Sequence, residues 1–586
     1  MKEVSIDSEN LTPAEESDGV SRRKFLGRLG ATVGALSVVP LVGSSPRADA
    51  APAVGNSNST GAGRMNSCFA YRRDAAIASR VNGPIQTGNG DLARYSDFSG
   101  MYSKGLLHDS LGIPNAAAAA SLVRAFQTGK QSDFSNILVG TPGGGNNSKL
   151  NGPQGALAFD LEGIDSHSTV IPPAPTVAAA QTAAEQVEHY WAAILRDVPF
   201  SEFDGNSMVA QACADINGMS YVNGANNDQI AYPVTPQNLF RGLFVAGDGN
   251  VKGPYVSQFM LQPAFYGAQF VEQKFRTHIP GQEFMTSVAT YQNIQNGGAD
   301  EGSIGIDPTP RHIRNGRDLA AFTHVDLPFQ GYLTALLVMA AIGVPANPGV
   351  PYIGSQTQKA FGTLGGPDAA GTLCEMATRA LKAAWYHKWI KDLKMRPEEY
   401  GALIHARKSA ANPMPQAAVD LHPDVLNSAS LPIIHGAFGT YLLPQPFPEG
   451  SPTHPCYPTG HGTVGGACIT VLKFFFNGNL KIRSLLTAAG RDVYESSSDG
   501  LSLNTYGGSD AGSMDINGEL NKLAWNITLG HGIHAGIHFR SSSYWSILLG
   551  EQVALAVLRD RAKSYNEPFT ITITKFDGTP ATISNQ

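Results

Sequence analysis

The run TVAAAQTAAEQVEHYWAAILRD, residues 176–197, sets the terms for the fold, because its alanine, leucine and aromatic positions recur every three to four residues and so define one face of a helix. Thr176 follows Pro175 and reads as the N-cap. Comparable periodicity returns at about 255–276, 316–343, 367–394, 461–476, 518–530 and 543–562, with a shorter alanine-rich helix at 116–126 and Gly, Pro and Asn turns between. Only FTITITKFDGTPATI, near the end, alternates convincingly, and its Asp577-Gly578 pair is a turn signal, so it predicts one terminal hairpin. The expected architecture is mainly α: two stacked helical bundles with long loops and a small C-terminal β-hairpin. In this division residues 51–310 form a loop-rich helical region, 311–566 a second bundle and 567–586 the hairpin. No internal repeat occurs at periods of 20–50 residues.

Composition narrows the function. Charged residues make up 15% of the 586, against about 25% in a typical domain, and Gly 64 with Pro 37 predicts long structured loops. A net charge of −6, with no basic stripe interleaved with aromatics, argues against nucleic acid as a partner. Any anion site must therefore be built locally. Five cysteines (Cys68, Cys213, Cys374, Cys456 and Cys468) lack C-x-x-C spacing, which argues against a thiolate zinc site or an iron–sulfur cluster.

The N-terminus reads as an address. SRRKFLGRLGATVGALSVVPLVGSSPRADAAPA joins twin arginines, Arg22 and Arg23, to a modest apolar run and an A-x-A end at Ala48-Asp49-Ala50. Residues 1–50 are thus expected to be a twin-arginine signal peptide, with the mature chain outside the cytoplasmic membrane, periplasmic or extracellular.

Three stretches carry candidate chemistry. In SPTHPCYPTGHGTVGGACITVLKFFF, residues 451–476, Thr459 is placed to cap a helix beginning at about Gly460, and the glycines let backbone N–H groups approach a ligand. A helix N-terminus presents unpaired donors and the positive end of the dipole, which suits an oxyanion. His461, one residue in, can exchange a proton near neutral pH. In HKWIKDLKMRPEEYG, residues 387–401, Lys388 and Arg396 lie eight apart, read as one helix that Pro397 ends, and a fork beside a mobile point charge suits a tetrahedral anion. Lys391 and Lys394 read as solvated. In NITLGHGIHAGIHFRSSSYW, residues 526–545, His531, His534 and His538 fall at i, i+3 and i+7, one helical face that could ligate a metal. Six of fifteen histidines lie between His435 and His538, a clustering that scattered surface histidines would not produce.

Together, K-x7-R-P, then P-T-G-H, then a glycine-rich segment ending in G-I-H closely resembles the active site of vanadium-dependent haloperoxidases, whose anion pocket is shared with type-2 phosphatidic acid phosphatases. MYSKGLLHDSLG, GALAFDLEGIDS, RDVPFSEF, YLTALLVMAAIGVPANPGVPY, GELNKLAWN and LLGEQVALAVLRD extend the likeness to the algal-type bromoperoxidase branch over nearly the whole chain from about residue 70. The resemblance implies vanadate as cofactor, His538 as the residue bonding vanadium and His461 as the acid–base group. It implies Lys388 and Arg396 on the equatorial oxygens, Lys388 also polarising peroxide, with Thr459 and the Gly460 N–H completing the cradle. His454 matches a second histidine of bromide- and iodide-oxidising members. The implied reaction oxidises halide with hydrogen peroxide at constant vanadium(V), and the hypohalous product halogenates an organic acceptor. Relatives form homo-oligomers, dimers or larger.

Two positions depart from the pattern. Family members carry a second arginine six residues before the vanadium-bonding histidine; here that count reaches Gly532, with His531 adjacent as a partial substitute. An acid is common four residues after it, where this chain has Ser542. Arg540 lies elsewhere on the helical wheel. The rival readings are an acid phosphatase using His538 as nucleophile, a different metal on the His531/His534/His538 face, and an oxyanion-binding scaffold without activity.

Overall fold

The structure is a computed structural model that describes residues 61–79, 86–108, 113–144, 146–244, 251–409 and 419–586. The expected signal peptide lies outside these residues. The chain divides into two units, residues 1–72 and 73–586. In the first, the described residues belong to a helix that starts at Gly61 and runs to Ser79.

The second unit is mainly helical, with three two-stranded hairpins among the described residues. The longer helices include α1 (Ala116–Thr128), α2 (Ala180–Ile194), α3 (Gly316–His324), α4 (Gln330–Ala341), α5 (Gly366–Tyr386), α6 (Pro397–Lys408), α7 (Gly460–Phe475), α8 (Ile516–Leu529) and α9 (Arg540–Ala562). The hairpins are β1–β2 (Ala264–Tyr266, Gln269–Val271), β3–β4 (Tyr494–Ser496, Leu503–Thr505) and β5–β6 (Thr570–Thr574, Pro580–Ser584), all antiparallel. The terminal hairpin turns where expected, with Gly578 at φ 80°, and buries Ile571, Ile573 and Ile583. No helix among the described residues is long and apolar enough to cross a membrane.

α7 is the central rod. It packs on α9, α5 and α8, and every residue in it except His461 is buried. Its glycines serve that packing: a Cβ on Gly466 would lie 1.9 Å from the Ile547 carbonyl oxygen of α9, and one on Gly550 of α9 would lie 2.0 Å from the Thr463 oxygen. Only residues without a side chain let two backbones come that close. Gly462, expected with Gly460 to admit a ligand, serves the same packing, since a Cβ on it would lie 1.9 Å from Ser546 Oγ of α9.

Several expected elements differ. The helix expected from Thr176 starts at Ala180, because Thr176 closes a turn in which its carbonyl accepts the Ala179 N–H and the Thr182 hydroxyl. Residues 255–276 are not helical: a 3₁₀ turn at Gln258–Met260 is followed by β1–β2, since Pro263 and the left-handed Gly267 (φ 60°) interrupt the apolar run. The 316–343 segment is two helices, α3 and α4, parted by residues 325–329 around Pro328.

The largest correction concerns Lys388 and Arg396. They do not share a helix. After α5 the chain widens into a π-turn, His387–Asp392, reverses at left-handed Leu393 (φ 43°), and runs extended to Arg396, the N-cap of α6. Pro397 therefore begins a helix instead of ending one, as its preset φ and missing N–H favour at the first helical position. Lys394, expected in solvent, is buried, its ammonium donating to the Pro175 carbonyl (2.6 Å) over the Phe539 ring; Lys391 donates to the Gln86 carbonyl at 2.7 Å.

Candidate active site

The site lies where the π-turn after α5, the start of α6, the N-terminus of α7 and the segment between α8 and α9 converge. Lys388, wholly buried, donates to the carbonyls of Pro455 (2.7 Å) and Cys456 (3.1 Å), and so is tied to the loop leading into α7. Arg396 is equally buried. Its Nε donates to the His454 carbonyl (2.8 Å), Nη1 to the Ile537 carbonyl (3.1 Å) and to His538 Nε2 (3.0 Å), and Nη2 to the Pro452 carbonyl (3.3 Å) and His454 Nδ1 (2.8 Å). One guanidinium thus joins the two segments that carry His454 and His538.

Arg396 is held from behind. Its own N–H donates to Glu399 Oε2 (2.6 Å), and Glu399 Oε1 accepts from the Ser103 N–H and hydroxyl, both at 2.8 Å. Burial pushes the Glu399 carboxyl up to about 7. Beside it the buried Lys104 pairs with Glu398 at 3.1 Å. The MYSKG stretch thereby braces the residue that positions the fork.

α7 begins at Gly460 with Thr459 as its N-cap, as expected, but the Thr459 side chain does not cap the helix. Its hydroxyl lies 3.0 Å from that of Ser542 in α9. The first N–H groups of α7 thus have neither an intrahelical acceptor nor a capping hydroxyl. His461 is bonded through Nε2 to Asp326 Oδ1 at 2.9 Å. Sequence reasoning missed Asp326, which sits in the α3–α4 connection 135 residues away; the signal available was a lone Asp in VDLP beside a proline break.

The expected row of three histidines is broken. Residues Gly530–His534 form a second π-turn, which alters the angular spacing on which i, i+3, i+7 alignment depends. His531 enters the site, its ring 3.9 Å from that of His461 and 5.5 Å from that of His538. His534 faces away, with Nε2 3.0 Å from the Tyr255 hydroxyl and edge contacts to Phe200 and Phe240. No cluster of three or more His, Cys, Asp or Glu suited to a metal ion occurs among the described residues. A site for another metal on this face therefore lacks its ligand set.

The two departing positions also resolve. A Cβ on Gly532 would meet Ser543 Oγ at 3.0 Å and the His538 carbonyl oxygen at 3.2 Å, so position 532 faces the start of α9 while His531 faces the site. Ser542 Oγ donates to the Cys456 carbonyl (2.9 Å) and lies 3.4 Å from His538 Nδ1. Arg540 is engaged elsewhere, forked onto the buried Glu188 at 2.7–3.1 Å.

The electrostatics follow from burial. Desolvation, reinforced by the Arg396 and Lys388 charges, holds His538 and His454 well below an ordinary histidine. His531 is lowered likewise, by burial and then by His461 and the same two cations. Lys388 is itself lowered, by burial and by Arg396. Three neutral rings thus surround two cations whose hydrogen-bond partners are carbonyls and imidazoles. His531 Nδ1 is buried without a partner, a vacancy that a hydrogen-bonding ligand would satisfy. Positive charge, free helix-terminal N–H groups and an orphan ring nitrogen fit a small oxyanion.

The cysteines are free thiols: Cys68 exposed, Cys374 half-buried, the others buried. Cys456 lies inside the site, Sγ 3.5 Å from His538 Nδ1.

No protein-family model matches the chain. Among curated proteins, the vanadium-dependent bromoperoxidase of Corallina officinalis is 33% identical over 598 aligned positions, covering 88% of this chain and 98% of the relative. That of Ascophyllum nodosum is 32% identical, covering 86% and 91%. Among solved structures, the homohexameric second vanadate-dependent bromoperoxidase of Ascophyllum nodosum superimposes with a TM-score of 0.81 at 28% identity, covering 94% of this chain and 95% of that one. With the cradle assembled as described and the likeness spanning nearly both full lengths, the chain belongs to the vanadium-dependent bromoperoxidases.

Proposed function

We propose that the cradle holds vanadate and that the protein oxidises bromide, or iodide, with hydrogen peroxide to a hypohalous species that halogenates organic acceptors. The observation that carries this reading is Arg396 bridging His454 and His538 with Lys388 alongside, both cations buried and bonded to carbonyls and rings. Bound vanadate supplies a Lewis acid that activates peroxide without changing its own oxidation state.

The chain's residues prepare that chemistry. Carbonyl bonds fix Lys388 and Arg396, while the Arg396 bonds to His538 Nε2 and His454 Nδ1 are the ones ligand oxygens can take over. Lys388 keeps one ammonium hydrogen beyond its two carbonyl bonds. His538, held neutral by burial and the nearby cations, presents a ring lone pair as the metal ligand. Gly460 N–H and Thr459 stand at the α7 mouth, and His531 supplies its unpartnered Nδ1. His461, oriented by Asp326, exchanges the proton, and the Asp326 carboxylate stabilises the imidazolium so formed. His454, beneath Trp385 with ring centroids 4.8 Å apart, lines the halide side.

The homohexameric relative supports a homo-oligomer, and Arg22-Arg23 supports twin-arginine export to the periplasm or beyond. Light scattering and cell fractionation test these two points. The reaction is tested by brominating a phenol with and without vanadate, bromide and peroxide. Product is expected only when all three are present, with no phosphate-ester hydrolysis in the absence of peroxide. A vanadate-loaded protein inert toward both bromide and iodide overturns the reading.

A further inference from the structure

The hydrogens around Ser542 can be counted. Its hydroxyl oxygen has three neighbours: the Cys456 carbonyl oxygen at 2.9 Å, Thr459 Oγ1 at 3.0 Å and His538 Nδ1 at 3.4 Å. A carbonyl only accepts, so the single Ser542 hydrogen goes to Cys456. The two lone pairs that remain must then receive the Thr459 hydroxyl hydrogen and a hydrogen from His538 Nδ1. Arg396 Nη1 lies nearer to His538 Nε2 (3.0 Å) than to Nδ1 (3.4 Å), and a guanidinium only donates, so Nε2 is the better placed of the two nitrogens to accept.

We propose that Ser542 is a positioning residue that fixes His538 as its Nδ1–H tautomer, leaving the Nε2 lone pair toward Arg396 and the cradle, and that it holds the Thr459 hydroxyl off the helix N-terminus in the same act. Cys456 assists. Its Sγ lies 3.5 Å from Nδ1 and 3.7 Å from the Ile537 carbonyl oxygen, so the thiol donates to the carbonyl and its sulfur faces the ring N–H. Ser542 also accepts the Thr459 N–H on its own carbonyl (3.3 Å), which locks the α7 mouth to the first turn of α9. A partner that sets which imidazole nitrogen is free is the general means of preparing a histidine ligand. Here that partner is a hydroxyl that brings no charge into an anion site.

This inference rests on His538 as the nitrogen ligand of vanadate, and its test separates the two. Solid-state ¹⁵N spectra of histidine-labelled, cofactor-free protein report the tautomer, the His538 signal being assigned by its loss in His538→Ala. Vanadate affinity is measured by equilibrium titration. Wild type is expected to show His538 as Nδ1–H alone. Ser542→Ala is expected to show mixed tautomers and about tenfold weaker vanadate binding, the loss typical of an outer-shell partner, and Ser542→Thr, which keeps the hydroxyl, to restore both. A wild-type tautomer in Ser542→Ala, or an Nε2–H wild type, overturns the inference, and so does a Ser542→Thr variant as impaired as the alanine. Absence of vanadate binding by wild type would sink the functional reading instead, while the cofactor-free spectra would still decide the tautomer.

Discussion

Replacing His531 by arginine should tighten oxyanion binding, whereas the same change one residue later should not. His531 is buried, its Nδ1 has no partner, and its ring centroid lies 3.9 Å from that of His461. A guanidinium there adds one charge-assisted hydrogen bond, worth about 1.5–3 kcal/mol. Fitting the longer side chain into a packed site costs about 1 kcal/mol or somewhat more. The net gain is about 0.5–2 kcal/mol, or roughly twofold to thirtyfold in affinity. Gly532→Arg directs its side chain toward Ser543 Oγ and the His538 carbonyl oxygen, 3.0 and 3.2 Å from the new Cβ, and is expected to leave affinity unchanged or weaker while lowering the melting temperature. Isothermal titration with vanadate, and with phosphate as a redox-inert substitute, measures both variants. Tighter binding by Gly532→Arg together with no gain from His531→Arg would refute the assignment of His531 to the pocket.

Three further perturbations follow from the same geometry. Asp326→Asn keeps a hydrogen-bonding group beside His461 Nε2 but removes the charge that supports the imidazolium, so kcat for bromination should fall on the order of tenfold to a hundredfold with little change in the bromide KM. Burial raises the Glu185 carboxyl to about 7 in the folded chain from an ordinary 4.5, so its contribution is fully present below pH 4.5 and is lost as pH rises through about 7. Glu185→Gln should therefore stabilise the protein at pH 8 by on the order of 3 kcal/mol and not at pH 4, as denaturant melts at the two values will show; equal gains at both would contradict the cause given. Arg540→Met strands the buried Glu188 and should cost about 3–5 kcal/mol, most of it recovered when Glu188→Gln is added, by the same melts.

Much of this site was readable because its residues are bound to backbone features with sequence signatures. A threonine and two glycines ahead of an apolar run marked the α7 mouth, and the helix does begin at Gly460. Spacing singles out Lys388 and Arg396 but misstates their geometry. An i, i+8 pair suggests one helix face, whereas a π-turn, a left-handed Leu393 and an N-terminal proline bring the two together across a break. Periodicity cannot register such an interruption, since the apolar positions on either side continue to match a helix. Asp326 was invisible for a different reason: its partner is distant in sequence, and a single carboxylate carries no pattern. Apolar content makes residues 255–276 resemble a helix, whereas Pro263 and Gly267 decide for the β1–β2 hairpin within them.

The two departures from the family pattern, Gly532 with its neighbour His531 and Ser542, meet on one imidazole. His531 lies 5.5 Å from the His538 ring on one side, and Ser542 Oγ lies 3.4 Å from its Nδ1 on another. Where the pattern has a fixed cation this chain has Gly532 beside a histidine ring that burial keeps neutral, and where it commonly has an acid this chain has a hydroxyl. One charge of each sign is absent, so the balance around His538 is left to Lys388 and Arg396. A carboxylate at position 542 would stand against those two cations with no third to offset it, in surroundings where an unscreened charge acts strongly. A serine at 542 can accept the same Nδ1 hydrogen without bringing a charge, and so leaves the positive charge of Lys388 and Arg396 to the oxyanion.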